Sequence, residues 1–166
     1  DLEKKKYATF EELDWYLYRV AVIVGKATLD ILGEKGTKAD ELAQALGSAV
    51  QLTNIVRDVY EDARLGRVYV PGNFTPQEIL SGARAYELKE ILQKTAQRAR
   101  ENYVRAFAKM EEFWPTKILP CRLMGYIYQK NLAKIEKSGF AVKEKIKLSK
   151  FEKVQQVFYA LLKTFF

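Results

Sequence analysis

Histidine is absent from the 166 residues, and cysteine occurs once, at Cys121. The first absence excludes Ser-His-Asp and Cys-His catalysis and any His-ligated metal within the chain. A lone cysteine excludes an internal disulfide and points to a reducing compartment, so a cytoplasmic location is the expectation. Four prolines and nine glycines are too few for a linker-rich or collagen-like chain. No apolar run reaches the roughly 20 residues of a membrane span, and the residues after Asp1 carry no signal-peptide pattern. Strand alternation is nowhere sustained, and no internal repeat recurs at a fixed period.

What is present is the composition of a soluble globular domain, 48% hydrophobic and 30% charged, expected to form one unit over residues 1–166. Net charge is 28 − 21 = +7, which invites acidic partners. The basic residues form no single block: Lys4-Lys5-Lys6 is short, and the others alternate with glutamate as solvated helix faces do. No aromatic and basic platform is visible, so no nucleic acid partner is expected. Abundant Lys and Glu with few Ser, His and Cys hint at a thermophilic source.

The pattern is all-α, with about six helices. Thr9 with Glu12 three residues later forms a capping-box signature and opens a helix that ends near Gly33 or Gly36. That helix is apolar on almost all sides, which predicts burial among other helices. A second helix is expected from about Asp40 through Asp62 to Leu65, followed by an extended segment over Val68 to Pro71. Thr75-Pro76 starts a short helix that stops near Gly82. Longer helices follow over about 83–113, 119–137 and 149–166, the first of them closed by Trp114-Pro115.

The chemistry concentrates in Gln51 to Asp62. Asn54, Asp58 and Asp62 stand at i, i+4 and i+8, and Gln51 lies one turn earlier on nearly the same face. Two aspartates one turn apart repel each other, and helix surfaces ordinarily offset such spacing with lysine. Two carboxylates with an amide oxygen make a hard-oxygen face suited to Mg²⁺. The competing reading is a solvated acidic face paired with Arg57, Arg64 and Arg67. Arg64 and Arg67 follow directly, and could hold a diphosphate or simply brace the loop.

Gln51 to Pro71, QLTNIVRDVYEDARLGRVYVP, resembles the second aspartate-rich motif of the squalene/phytoene synthase family. WYLYRVAVIVG at Trp15 to Gly25 is similar to that family's YCYRVAGxVG segment. Met124-Gly125-Tyr126-Ile127-Tyr128 and Lys145 to Lys150 are similar to its closing pattern. The opening Asp1-Leu2 through Leu13, and Pro120 to Gly125, look most like the bacterial presqualene diphosphate synthase branch.

The resemblance implies the C-terminal portion of an isoprenoid synthase fold and the Mg²⁺-dependent head-to-head joining of two prenyl diphosphates. Farnesyl diphosphate giving presqualene diphosphate or squalene is the first expectation, with NADPH used only if the product is squalene. Geranylgeranyl diphosphate giving phytoene is the alternative. It implies Asn54, Asp58 and Asp62 as metal ligands, and Tyr16 as a catalytic tyrosine acting through its ring or as a proton shuttle. Val20, Ala21, Val24 and Gly25 would line a dry pocket for the prenyl chain. Gln51, Arg57, Tyr128 and Lys145 would contact substrate. Lys145 stands where the family usually has arginine, which keeps the charge but loses the two-pronged geometry.

The family also carries a first aspartate-rich motif on an earlier helix, and Asp1, Asp14, Asp30 and Asp40 lack its spacing. The expectation is that the polypeptide by itself is inactive, or that further helices come from another chain or from residues before Asp1. Exposed apolar faces and a homo-oligomer or complementing chain follow from that. A non-catalytic partner subunit is a further alternative. Val157 to Phe166 is apolar with basic flanks, which fits a terminal core helix or a peripheral contact with the inner face of a membrane.

Overall fold

The structure is a computed structural model and describes residues 6–140 and 145–165. Asp1, Leu2, Lys4, Lys5 and Phe166, which entered the sequence comparisons, lie outside the described residues. Among the described residues every regular element is helical.

The first rod joins α1 (Phe10–Leu17), a π-helical segment (Tyr18–Val22) and α2 (Ile23–Ile31). Then follow α3 (Thr37–Arg64), α4 (Pro76–Ser81), α5 (Ala85–Met110), α6 (Leu119–Lys137) and α7 (Lys150–Phe165). Counting the first rod once, this makes the expected six. Thr9 caps α1 by accepting from the Glu12 N–H, while Glu12 accepts from the Ala8 N–H at 2.9 Å. Thr75 and Glu78 form a reciprocal capping box around Pro76, and Gly82, at φ 79°, ends α4 in the left-handed region.

Helix α3 is the central rod. It packs on α5, α6, α4 and the whole first rod, while α7 packs on α6. Its inward side is rich in small residues, Ala39, Ala43, Ala45, Gly47, Ser48 and Ala49, which let neighbouring backbones approach closely. Larger side chains then fill the gaps: Leu42, Leu52, Leu92, Tyr103 and Met110 are fully buried, each worth about 1.5–3 kcal/mol. Deep in this core the hydroxyls of Thr53 and Tyr103 share a 2.9 Å hydrogen bond, and Thr53 also donates to the Ala49 carbonyl at 2.8 Å. Both polar groups are thereby satisfied away from water.

Two expectations need correction. The first helix is not α-helical throughout: the Ile23 N–H reaches back to the Tyr18 carbonyl, five residues away, so one turn is widened. Nor is it buried all round. Leu13, Leu17, Val22 and Leu29 face the core, but Trp15, Tyr18, Ile23, Val24 and Ile31 are exposed, Ile31 at 85%. The rod lies at the margin with α3 as its main helical partner, so one flank finds nothing to pack on among the described residues. Smaller boundary shifts have local causes. Gly36, at φ 89°, starts α3 three residues early, and α5 ends at Met110, where Arg122 takes its carbonyl.

Candidate active site

Helix α3 runs unbroken through Gln51, Asn54, Asp58 and Asp62, so the helical spacing stacks them along one side. All four are partly buried. Gln51 connects them to the first rod: its Nε2 donates to the Tyr16 hydroxyl at 3.4 Å, and its Oε1 accepts from Asn54 Nδ2 at 3.3 Å. Tyr16 sits in a cluster of three tyrosines, its ring centroid 5.3 Å from Tyr7 and 5.1 Å from Tyr69. Burial, then Tyr69, pushes the Tyr16 phenol well above its ordinary value. The hydroxyl therefore stays protonated. Tyr18, by contrast, is exposed, with the Lys26 ammonium 5.9 Å from its ring centroid.

A cavity of about 360 Å³ opens between the first rod, α3 and the start of α6. Val20, Ala21, Val24 and Gly25 all line it, and so does Gln51 at the end nearest Asn54. The opposite wall is Leu42, Ala43, Leu46, Gly47 and Val50, with Pro120, Cys121 and Met124 from α6. Nearly every lining group is apolar, so the space is dry by composition. Burial pushes the Cys121 thiol up, away from its nucleophilic form. Asn54, Asp58 and Asp62 continue along α3 beyond the cavity's lining.

The carboxylates differ sharply. Asp58 is only 16% exposed. Arg57 grips it with Nε on Oδ1 at 2.9 Å and Nη2 on Oδ2 at 2.6 Å, and the Lys145 ammonium lies 2.9 Å from Oδ1. Burial by itself would raise the Asp58 carboxyl, but these hydrogen bonds outweigh it and hold the group below its ordinary value. Lys145 bridges on to Glu61 at 2.9 Å. Asp62 has no ion pair among the described residues. Burial first, then the charges of Asp58 and Glu61, push its carboxyl up to about 6.

On the far side of Arg57 a polar hollow of about 230 Å³ is lined by Arg57, Ile127, Tyr128, Asn131, Lys145, Lys147, Leu148 and Lys153. Tyr128 hydrogen bonds with Arg57. A second hollow, of about 490 Å³, continues past Tyr60, Glu61, Arg64 and Leu65. The structure therefore brings Arg57, Tyr128 and Lys145 together, and sets them at the opposite end of the Gln51–Asp62 stripe from the apolar cavity.

The stripe suits Mg²⁺ as one wall of a site. Asn54 Oδ1 is buried with no hydrogen-bond partner, and the unpaired, raised Asp62 carboxyl is the second oxygen in want of a cation. Asp58 could join only by sharing its oxygens with Arg57 and Lys145. Among the described residues no group of three or more Asp, Glu, His or Cys side chains is placed to hold a metal.

Gly47 and Glu61 were not singled out by sequence. Gly47 stands one turn before Gln51, so the same helical spacing would have flagged it. Glu61 is tied to the site by Lys145, a contact between residues 84 positions apart.

The model of the family described as squalene/phytoene synthase matches residues 1–152. The chain is 35% identical over 161 residues to a phytoene synthase of Arthrospira platensis, covering 86% of this chain and 52% of that protein. It is 36% identical over 152 residues to the chloroplastic phytoene synthase 2 of Solanum lycopersicum, covering 84% and 49%. Among solved structures, squalene synthase HpnC from Alicyclobacillus acidocaldarius superposes with a TM-score of 0.77 at 25% identity, over 84% of this chain and 56% of that one. A dehydrosqualene synthase solved with a ligand gives 0.78 at 26%, over 98% and 61%. The chain spans about half the length of the curated relatives it matches. With its all-helical isoprenoid synthase fold and its matching motifs, the chain belongs to the squalene/phytoene synthase family.

Proposed function

We propose that this chain carries one wall of an active site that joins two prenyl diphosphates head to head. The observation that carries the proposal is the continuity of the apolar cavity, Gln51, and the Asn54–Asp58–Asp62 stripe. The cavity takes the hydrocarbon tail. Val20, Ala21, Val24 and Gly25 exclude water and present no nucleophile to a developing allylic cation. Arg57, Tyr128 and Lys145 bind the diphosphate oxygens, with Lys145 exchanging Asp58 for phosphate. Tyr16, between tail and headgroup, offers its ring face and its protonated hydroxyl. Asn54, Asp58 and Asp62 would hold Mg²⁺, which supplies the positive charge that favours departure of the diphosphate.

Two products share this chemistry. The names of the sequence relatives favour phytoene from geranylgeranyl diphosphate. The likeness to squalene synthase HpnC favours presqualene diphosphate or squalene from farnesyl diphosphate, NADPH entering only with squalene. A non-catalytic partner role has less support, because a structural subunit gains nothing from the oxygens of Asn54 and Asp62, which have no hydrogen-bond or ion-pair partner, respectively, among the described residues. The exposed flank of the first rod supports a complementing chain or second copy as partner, which light scattering checks.

The test is diphosphate release and product mass with Mg²⁺ and each substrate in turn. It is run on the chain by itself and on a polypeptide extending it to the length of its relatives. Release that persists undiminished after Asp58→Asn and Asp62→Asn removes the proposal, and the product mass selects the chain length.

A further inference from the structure

The apolar cavity has two distinct ends. Tyr16 meets Gln51, Gly47 abuts the Ala21 backbone, Gly25 lies against Ala43, and Lys26 pairs with Asp40 at 3.0 Å. The first rod and α3 therefore run antiparallel. One end of the space between them lies at Gln51 and leads to Asn54. The other lies at Leu29 and Leu42. Helix α6 runs in the same direction as α3, since Gly125 lies beside Leu46 and Tyr128 beside Arg57. Cys121, near the start of α6, is thereby brought to the Leu42 end.

That far end is closed. Leu29, Leu42 and Cys121 all line the cavity, and all three are buried. Thr28 beside them donates its hydroxyl to the Val24 carbonyl at 2.9 Å, so it asks nothing of a ligand. Glu34, in the loop after α2, pairs with Lys117, in the turn before α6, at 3.2 Å and ties together the two segments at this end. Depth follows from the helix. Gln51 and Leu42 stand nine positions apart on α3, which at the α-helical rise is about 14 Å. Each prenyl unit adds four carbon–carbon bonds along the tail, roughly 5 Å when extended. Three units fill the distance from Gln51 to the floor. A fourth must turn aside past Val24, which is 59% exposed, and give up part of its burial.

We propose that Leu29, Leu42 and Cys121 form an end stop that seats a tail of three prenyl units and rejects a fourth, which makes a farnesyl chain the better substrate. The end stop rests on the reading of the cavity as the tail site. The experiment measures binding of geranyl, farnesyl and geranylgeranyl S-thiolodiphosphates to the purified chain with Mg²⁺, by displacement of an apolar fluorescent probe. These analogues keep the headgroup and resist its departure. Expected is a gain of about tenfold or more from geranyl to farnesyl, and none from farnesyl to geranylgeranyl. Leu29→Ala and Leu42→Ala should each improve the geranylgeranyl analogue relative to the farnesyl one by about tenfold, with the thermal transition checking that they fold. If they do not fold, the comparison of the three lengths on the parent chain decides. Affinity that keeps rising to geranylgeranyl in the parent chain, or folded variants that leave the farnesyl preference untouched, overturns the end stop while the tail site stands. Binding of none of the three analogues overturns the tail site and the end stop together.

Discussion

Gly47 on α3 meets the backbone of Ala21 with no room for a methyl group. A Cβ at that position would stand 3.0 Å from the Ala21 carbonyl oxygen and 3.2 Å from the Val22 nitrogen. The close approach falls on the π-helical segment, and both residues line the apolar cavity. Contact between the two rods thus sets the shape of the space between them.

Gly47→Ala should therefore destabilise the chain even though alanine is the better helix former. The propensity gain is about 1 kcal/mol. The clash is with backbone, which cannot rotate away, and overpacking of this kind costs about 1–3 kcal/mol. A net loss of up to about 2 kcal/mol in urea unfolding is expected, with weaker binding of an apolar fluorescent probe in the cavity. At Gly25 the nearest atom is the Ala43 methyl carbon at 3.3 Å, so Gly25→Ala should be milder.

Asp62→Asn should raise stability at neutral pH. The folded carboxyl sits at about 6 against an ordinary 3.8, so ionisation is disfavoured in the folded state. For an acid raised in this way, the favourable contribution is full below about pH 4 and is lost as pH rises through about 6. Removing the charge should gain about 1–2 kcal/mol at pH 7 after allowance for solvent screening. Little change is expected near pH 4. Urea midpoints at the two pH values measure this, and an unchanged midpoint at neutral pH would count against the electrostatic reading of the stripe.

The α6–α7 junction should weaken in acid. Glu152 accepts from Lys134 and from the Ser149 N–H, the latter at 2.7 Å, and these contacts hold its carboxyl down at about 2. The stabilisation is present above the ordinary value near 4.5 and is lost as pH falls toward 2. Amide protection along α7, taken relative to the intrinsic exchange rate at each pH, should fall over that range in the parent chain. Glu152→Gln should already show the lowered protection at neutral pH.

Arg122 is buried at the start of α6, with Nη2 on the Met110 carbonyl at 3.2 Å and on Glu111 at 3.1 Å, while its Nε has no partner. It satisfies the end of α5 at the cost of one orphaned donor. Arg122→Met keeps the stem, removes the orphan and loses the cap. A loss of about 1–2 kcal/mol in thermal or urea unfolding is expected, at the low end for a charged hydrogen bond. A larger loss would mean that the Glu111 pair, exposed on its acidic side, matters more than the carbonyl.

Much of this was legible in sequence because it is local. Capping at Thr9 and Thr75, the stop at Gly82 and the span of α6 depend on residues within a turn of one another. The stacking of Gln51, Asn54, Asp58 and Asp62 needs only the period of a helix. The π-helical turn was not legible, since it arises where Gly47 presses α3 against Ala21, more than 20 residues away.

Sequence by itself determined the helices, their faces, and which oxygens share a stripe, because these follow from nearest-neighbour sterics and helical period. Only the tertiary structure decided that Asp58 is held by Arg57 and Lys145 while Asp62 has no ion pair among the described residues. That asymmetry depends on where residue 145 lands after a long excursion through α5 and α6. It follows from how the rods pack around α3, which no local pattern encodes.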